Sequence, residues 1–201
     1  MAAGLDFTLH IERLCRDIVA RTIEFRHIDM DRVAVGFRQT RKPVKHGMFA
    51  SLTPLRFADG QLVTRRRGRH WTIQRLYERS GREFLYVLNF YLPRFLDLPY
   101  REKLITVFHE LWHIGEKFDG DLRRHAGRCY AHGSSKTAYD ENMDALVTAW
   151  LALHPPDDLH AFLQRNTREL HAAHGGIFGR RWPRVKLLPA NEMQTAESRT
   201  R

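Results

Sequence analysis

Along residues 5–22, Leu5, Leu9, Leu14, Ile18 and Val19 recur among charged positions at the spacing of an amphipathic helix. The period then changes. Val33, Val35 and Phe37 alternate within 32–38, as in a half-buried strand. Residues 48–57 and 69–77 (Trp71, Ile73, Leu76) read as further strands, separated by a turn at Gly60 and a run of arginines. Nearly every position over 83–91 is apolar, which predicts a strand covered on both faces. A helical pattern returns over 99–114, where Leu104, Phe108, Leu111 and Ile114 form one stripe. Pro99 suits its first turn and Gly115 its stop. A loop over about 115–138 precedes a helix at 140–154, which Pro155-Pro156 stops. Asp157 is expected to cap another helix, reaching about His174 and closed by Gly175-Gly176. Residues 184–188 suggest a last strand, and the polar stretch 190–201 is expected to be a disordered tail.

This order predicts one α+β domain over residues 1–189: a small mixed or antiparallel sheet packed with the 99–114 helix. The 48–57 strand is expected at a sheet edge, where Pro54 is tolerated.

The chemistry lies on the 99–114 helix. His109-Glu110-Leu111-Trp112-His113 is an HExxH motif. On a helix it sets two imidazoles one turn apart on one face, with a carboxylate beside them. That pattern serves a zinc-dependent hydrolase: His109 and His113 hold one zinc ion, and Glu110 is the general base. Two histidines and a glutamate on a largely buried helix are costly unless a metal or hydrogen bonds satisfy them.

A catalytic zinc needs a third protein ligand and an open position. His125 is preferred, because a turn at Asp119-Gly120 lets the chain fold back toward the metal. His132, Glu141 and Asp119 are alternatives. Cys129, four residues after His125, raises a rival: His109, His113, His125 and Cys129 as a closed structural zinc site. Tyr130 or His132 could assist a developing oxyanion. Asp140 and Asp144 could orient a zinc-ligating histidine or simply suit a helix N-terminus. Arg123, Arg124 and Arg128 could pair with Asp119 or Asp121, or hold a substrate carboxylate. The remaining histidines, His160 among them, are expected in exposed or capping roles.

Around these residues the chain resembles the phage and bacterial zinc metallopeptidases related to minimal gluzincins and SprT-like proteases. The resemblance rests on His109 to Ile114, on Phe118-Asp119-Gly120-Asp121-Leu122-Arg123-Arg124-His125, and on Gly127-Arg128, Tyr130 and His132-Gly133. Residues 51–57 and 91–95 extend it, over about 25–155 in all. It implies zinc ligation by His109, His113 and His125, with Glu110 as base.

Composition narrows the partners. Two cysteines make no disulfide framework, and the N-terminus lacks the pattern of a signal peptide. The longest uncharged apolar stretch, 84–93, is too short to span a bilayer. A cytoplasmic protein without membrane contact is expected, acting on a peptide or protein substrate with one zinc ion per chain. The net charge of +10 and pI near 10.1 leave room for nucleic acid. Arginine clusters at 65–69 and 180–184 lie beside Trp71 and Trp182, which could stack on bases or simply pack. Two rival functions follow: a protease docked on nucleic acid, and a nucleic-acid-binding module with a structural zinc.

Overall fold

The computed structural model describes residues 4–40, 47–124 and 136–190, the last segment with side chains from Glu141 onward. In chain order its elements are β1 (Leu5–Asp6), α1 (Phe7–Arg21), β2 (Val33–Gln39), β3 (Ala50–Pro54), β4 (Val63–Arg66), β5 (Arg69–Ile73) and β6 (Tyr86–Leu92). These are followed by α2 (Tyr100–Trp112), α3 (Lys136–Ala152), α4 (Asp157–His160), α5 (Thr167–His174), β7 (Ile177–Phe178) and β8 (Leu187–Pro189). The architecture is α+β.

The central sheet has the order β2-β6-β3, with β6 parallel to β2 and antiparallel to β3. Its middle strand, β6, is buried along nearly its whole length, as its apolar run requires. Rows such as Val35, Leu88 and Leu52 cross the sheet on the main-core face. The opposite face carries a smaller cluster of Ala34, Val87, Leu55, Leu76 and Phe84, against which Trp182 packs. Trp182 is therefore a packing residue: its indole N–H donates to the Val35 carbonyl, and its ring meets Phe84 edge-on.

The outer edge of β2 is covered. Phe37 N–H donates to the Arg180 carbonyl, and Gly36 admits the Trp182 ring so closely that a Cβ there would lie 2.6 Å from Trp182 Cδ1. The expectation of an edge strand at 48–57 holds: β3 ends the other side of the sheet, with Pro54 in its last position.

Helix α1 begins at Asp6, whose carboxylate accepts from Leu9 N–H. Its buried face is Phe7, Ile11, Leu14, Cys15, Ile18 and Val19. Leu9 is 50% exposed, so the helix is rotated from the phase that Leu9 suggested. Phe7 packs edge-on against Phe37, Phe90, Phe95 and Phe162 at centroid distances of 5.8–6.3 Å.

The helix expected over 157–174 is broken. Asn166 caps α5 with a reciprocal box to Glu169, and Arg165 is extended. The buried Lys103 ammonium donates to the carbonyls of Leu163 and Arg165, which a continuous helix would have used internally. Gly175 closes α5 in the left-handed conformation, as expected. The N-cap of α4 is Pro156, with Asp157 inside the first turn. The arginine run, read as a connection, is half strand: Val63–Arg66 and Arg69–Ile73 pair as a hairpin, to which β8 adds.

Glu83 ties this region to the central sheet. It accepts from Arg75 Nε and Nη2 at 2.5 and 2.8 Å, and pairs with Arg56 Nη2 at 2.8 Å. Burial alone would raise its carboxyl; the two guanidiniums outweigh burial and hold it at about 2. A depressed carboxyl stabilises the fold above its unfolded value near 4.5, and that contribution is lost as the pH falls toward 2. Glu83→Gln is expected to cost about 2 kcal/mol at neutral pH. The cost arises because Arg56 is buried, and it is moderated because Arg75 is open to solvent. Urea midpoints taken from pH 7 to 2.5 should fall less steeply below pH 4.5 in the variant than in the parent.

Candidate active site

Helix α2 places the motif by burying Leu104, Val107, Phe108 and Leu111 against the sheet and α3. This turns His109 toward the half-exposed side of its last turn, with His113 at the C-cap, still in helical conformation. The two imidazoles meet: Nε2 to Nε2 is 2.9 Å, and the rings stand at 79° to one another. Zinc–nitrogen bonds of about 2.0–2.1 Å at the tetrahedral angle need nitrogens about 3.3 Å apart. A few tenths of an ångström of ring rotation would supply that separation. The pair therefore fits a zinc ion as two of its ligands.

Glu110 is 8% exposed and lies against the sheet edge, near the backbone N–H of Leu52. Burial pushes its carboxyl up to about 7, and the Leu52 N–H opposes that rise. The group is poised to exchange a proton near neutrality. A cation on His109 and His113 would pull it down.

The register of β3 explains how Leu52 reaches the site. Phe49 and Leu55 bond to β6, through Tyr91 N–H to Phe49 O and Leu55 N–H to Leu85 O. Alternation along an antiparallel strand then turns the backbone groups of Ala50 and Leu52 away from β6, toward the outer edge. One of these, Leu52 N–H, is the group that favours the charged form of Glu110.

Beyond α2 the chain doubles back at once. Gly115 N–H donates to Asp121 O, and Arg123 N–H donates to His113 O at 2.8 Å. Gly120, with φ +92, makes the turn, and a Cβ there would lie 2.5 Å from Arg56 Cγ. From the middle of the sheet, the Tyr86 hydroxyl donates to Asp121 O and accepts from Gly120 N–H. Asp121 also binds Arg124 through both oxygens, and Arg123 pairs with Glu116 while covering Trp112 at 4.2 Å. Of the two partners weighed for these arginines, Asp121 is thus confirmed for Arg124, while Arg123 takes a different carboxylate.

The preferred third ligand, His125, lies outside the described residues, as do His132, Cys129, Arg128 and Tyr130. Asp119 and Glu141 do not join the two histidines: no cluster of three potential ligands forms among the described residues. The Asp119 carboxylate accepts from Asp121 N–H, and Glu141 is exposed on α3. Asp144 lies in the middle of α3 rather than at its N-terminus, where a helix dipole would favour it. Arg101 of α2 binds its carboxylate at 2.7 Å and its carbonyl at 2.9 Å, clamping α3 to the motif helix. His160 is not exposed: it is buried, with Tyr100 Oη 3.0 Å from its Nδ1. Leu52 and Tyr86 enter the site region without having been singled out. Only Leu52 had a signal in the sequence, through its strand's proline.

No helix among the described residues is long and apolar enough to cross a membrane. Comparison with protein-family models, with curated proteins and with solved structures gave no match.

Proposed function

We propose that this chain is a zincin-like, zinc-dependent metallopeptidase. The observation that carries the reading is the convergence of His109 and His113 at 2.9 Å beside a buried Glu110 that rests on an edge strand. A hydrogen bond between the two imidazoles would satisfy one nitrogen of each without a metal, but a packing role gives no reason for a carboxylate kept beside them in an apolar setting.

His109 and His113 would hold the metal, with His125 as third ligand. The bond from Arg123 N–H to His113 O brings the chain within two residues of that histidine. When bound, zinc supplies Lewis acidity, lowering the pKa of water to roughly 7 and polarising a carbonyl. Glu110 takes the proton from the attacking water and returns it to the leaving amine nitrogen. The outward backbone groups of β3 offer main-chain hydrogen bonds to an extended peptide.

Metal content by mass spectrometry, beside hydrolysis of a quenched-fluorescence peptide library, tests the reading. The expected result is one zinc per chain, with metal and turnover both lost in His113→Ala. A parent protein that takes up no zinc after refolding with the metal would end the proposal.

A further inference from the structure

We propose that one face of the β4-β5-β8 sheet is a docking surface for single-stranded nucleic acid. The inference is independent of the zinc chemistry and stands on charge, register and surface form.

Residues 61–77 and 170–190, which supply all three strands, contain nine arginines and lysines and no aspartate or glutamate. Set against a net charge of +10, this leaves the rest of the chain almost balanced. Several arginines elsewhere meet carboxylates, among them Arg16, Arg21, Arg56, Arg82, Arg101 and Arg124, and exposed ones without an ion pair among the described residues, such as Arg26, Arg79 and Arg168, are scattered along the chain. Arg65, Arg66, Arg67 and Arg69 differ in lying together. No ion pair to any of them occurs among the described residues, and all four are exposed. Their charge awaits a polyanion from outside the molecule.

The register sorts these side chains. Arg66 pairs with Arg69 across β4 and β5, and Thr64 with Trp71 one step further on. Trp71 in turn faces Pro189, and Ile73 faces Leu187. Directly opposed residues share a face, as do alternate residues along a strand. One face therefore carries two guanidiniums, then a half-exposed indole, then an exposed leucine. A hollow of about 630 Å³ opens on this face, lined by Arg66, Arg67, Arg69, Trp71 and Leu187.

Like charges placed directly opposite one another destabilise a hairpin. The turn adds to this cost: Arg67 and Gly68 both have positive φ, at 49° and 77°, where asparagine or glycine is the unstrained choice at the first position. A Cβ on Gly68 would meet nothing within 4 Å, so the hairpin tip is open to a ligand.

Guanidiniums bind phosphates, and an indole face beside them stacks an unpaired base whatever its sequence. A duplex, its bases already stacked, would use the arginines but not Trp71.

The test uses the full chain and fluorescein-labelled 20-mers of dT and of U, read by anisotropy at 50 and 200 mM salt. The triple variant Arg66→Ala, Arg67→Ala, Arg69→Ala should weaken binding at least tenfold and reduce the slope of log K against log salt by about 2. A control that removes the same charge elsewhere (Arg26→Ala, Arg79→Ala, Arg168→Ala) should stay within about twofold of the parent. Trp71→Leu should weaken binding roughly tenfold with an unchanged salt slope, and should abolish base quenching of its indole fluorescence. Each variant is first matched to the parent by near-ultraviolet circular dichroism and melting temperature. A preference for dT or for U supports the proposal equally and identifies the natural polymer. Equal losses in hairpin and control variants, parent-like binding by Trp71→Leu, or duplex bound as tightly as single strand would overturn it. So would binding to anionic phospholipid vesicles without binding to either oligomer.

Discussion

Glu110→Gln is expected to retain one zinc per chain and to lower kcat for peptide hydrolysis by roughly 10³-fold. The substitution is nearly isosteric. The amide oxygen of glutamine can take the place of the carboxylate oxygen near the Leu52 N–H, so the packing of α2 on the edge strand survives and the fold should be undisturbed. What it cannot do is take a proton from water and give it back to an amine. Metal affinity depends on the imidazoles, which converge without help from the carboxylate. Zinc content and KM should therefore stay near the parent values while kcat alone collapses. A variant that turns over at the parent rate would show that Glu110 is only a buried hydrogen-bond acceptor.

The largest effect on stability is expected at Phe7. Phe7→Ala should destabilise the fold by about 3–5 kcal/mol. The ring is fully buried, and four other aromatic rings meet it edge-on, from β2, β6, the turn after β6 and the segment that follows α4. Removing it empties the point at which those segments converge, and aromatic side chains held from four directions cannot all move in to fill the space. A melting temperature lower by on the order of 10 °C should accompany the change. Because Phe7 is remote in sequence from α2, zinc stoichiometry should hold at temperatures where the variant is folded. A loss under 1 kcal/mol would mean that the ring cluster repacks freely.

The motif helix was legible because its signals are local. Leu104, Phe108, Leu111 and Ile114 share one stripe, Pro99 precedes the first turn, and all four apolar residues are fully buried. Pro54 likewise marked the edge strand through a property of its own backbone. Other features depended on partners far along the chain. The break before α5 needs Lys103, some sixty residues earlier, to draw off two carbonyls. The face of α1 was ambiguous because Leu9 and Ile11 each complete a plausible stripe, and only the sheet decides between them. His160 carries no local mark of burial; Tyr100 and Trp150 enclose it. The hairpin strand at Val63–Arg66 escaped notice because arginine hides the strand alternation and because the turn has Arg67 where asparagine would announce it. Of the site itself, the two histidines and the glutamate were readable from spacing. The approach of Leu52 to Glu110 was not, since it brings together residues 58 positions apart.

The covered edge of β2 also governs the order in which the molecule can be assembled. Leu5 pairs with Ile177, Phe37 with Arg180, and Val35 accepts from Trp182, so the first strands of the chain are completed by nearly the last described residues. A polypeptide made from its N-terminus has β1, α1 and β2 long before their covering segment exists. Until then β2 presents an apolar, unpaired border to any neighbouring chain. Closing that border joins segments more than 140 residues apart, a slow step in any folding reaction. The nascent protein is therefore most vulnerable to pairing with its own copies late in synthesis, and Gly36 keeps the slot that Trp182 must finally enter.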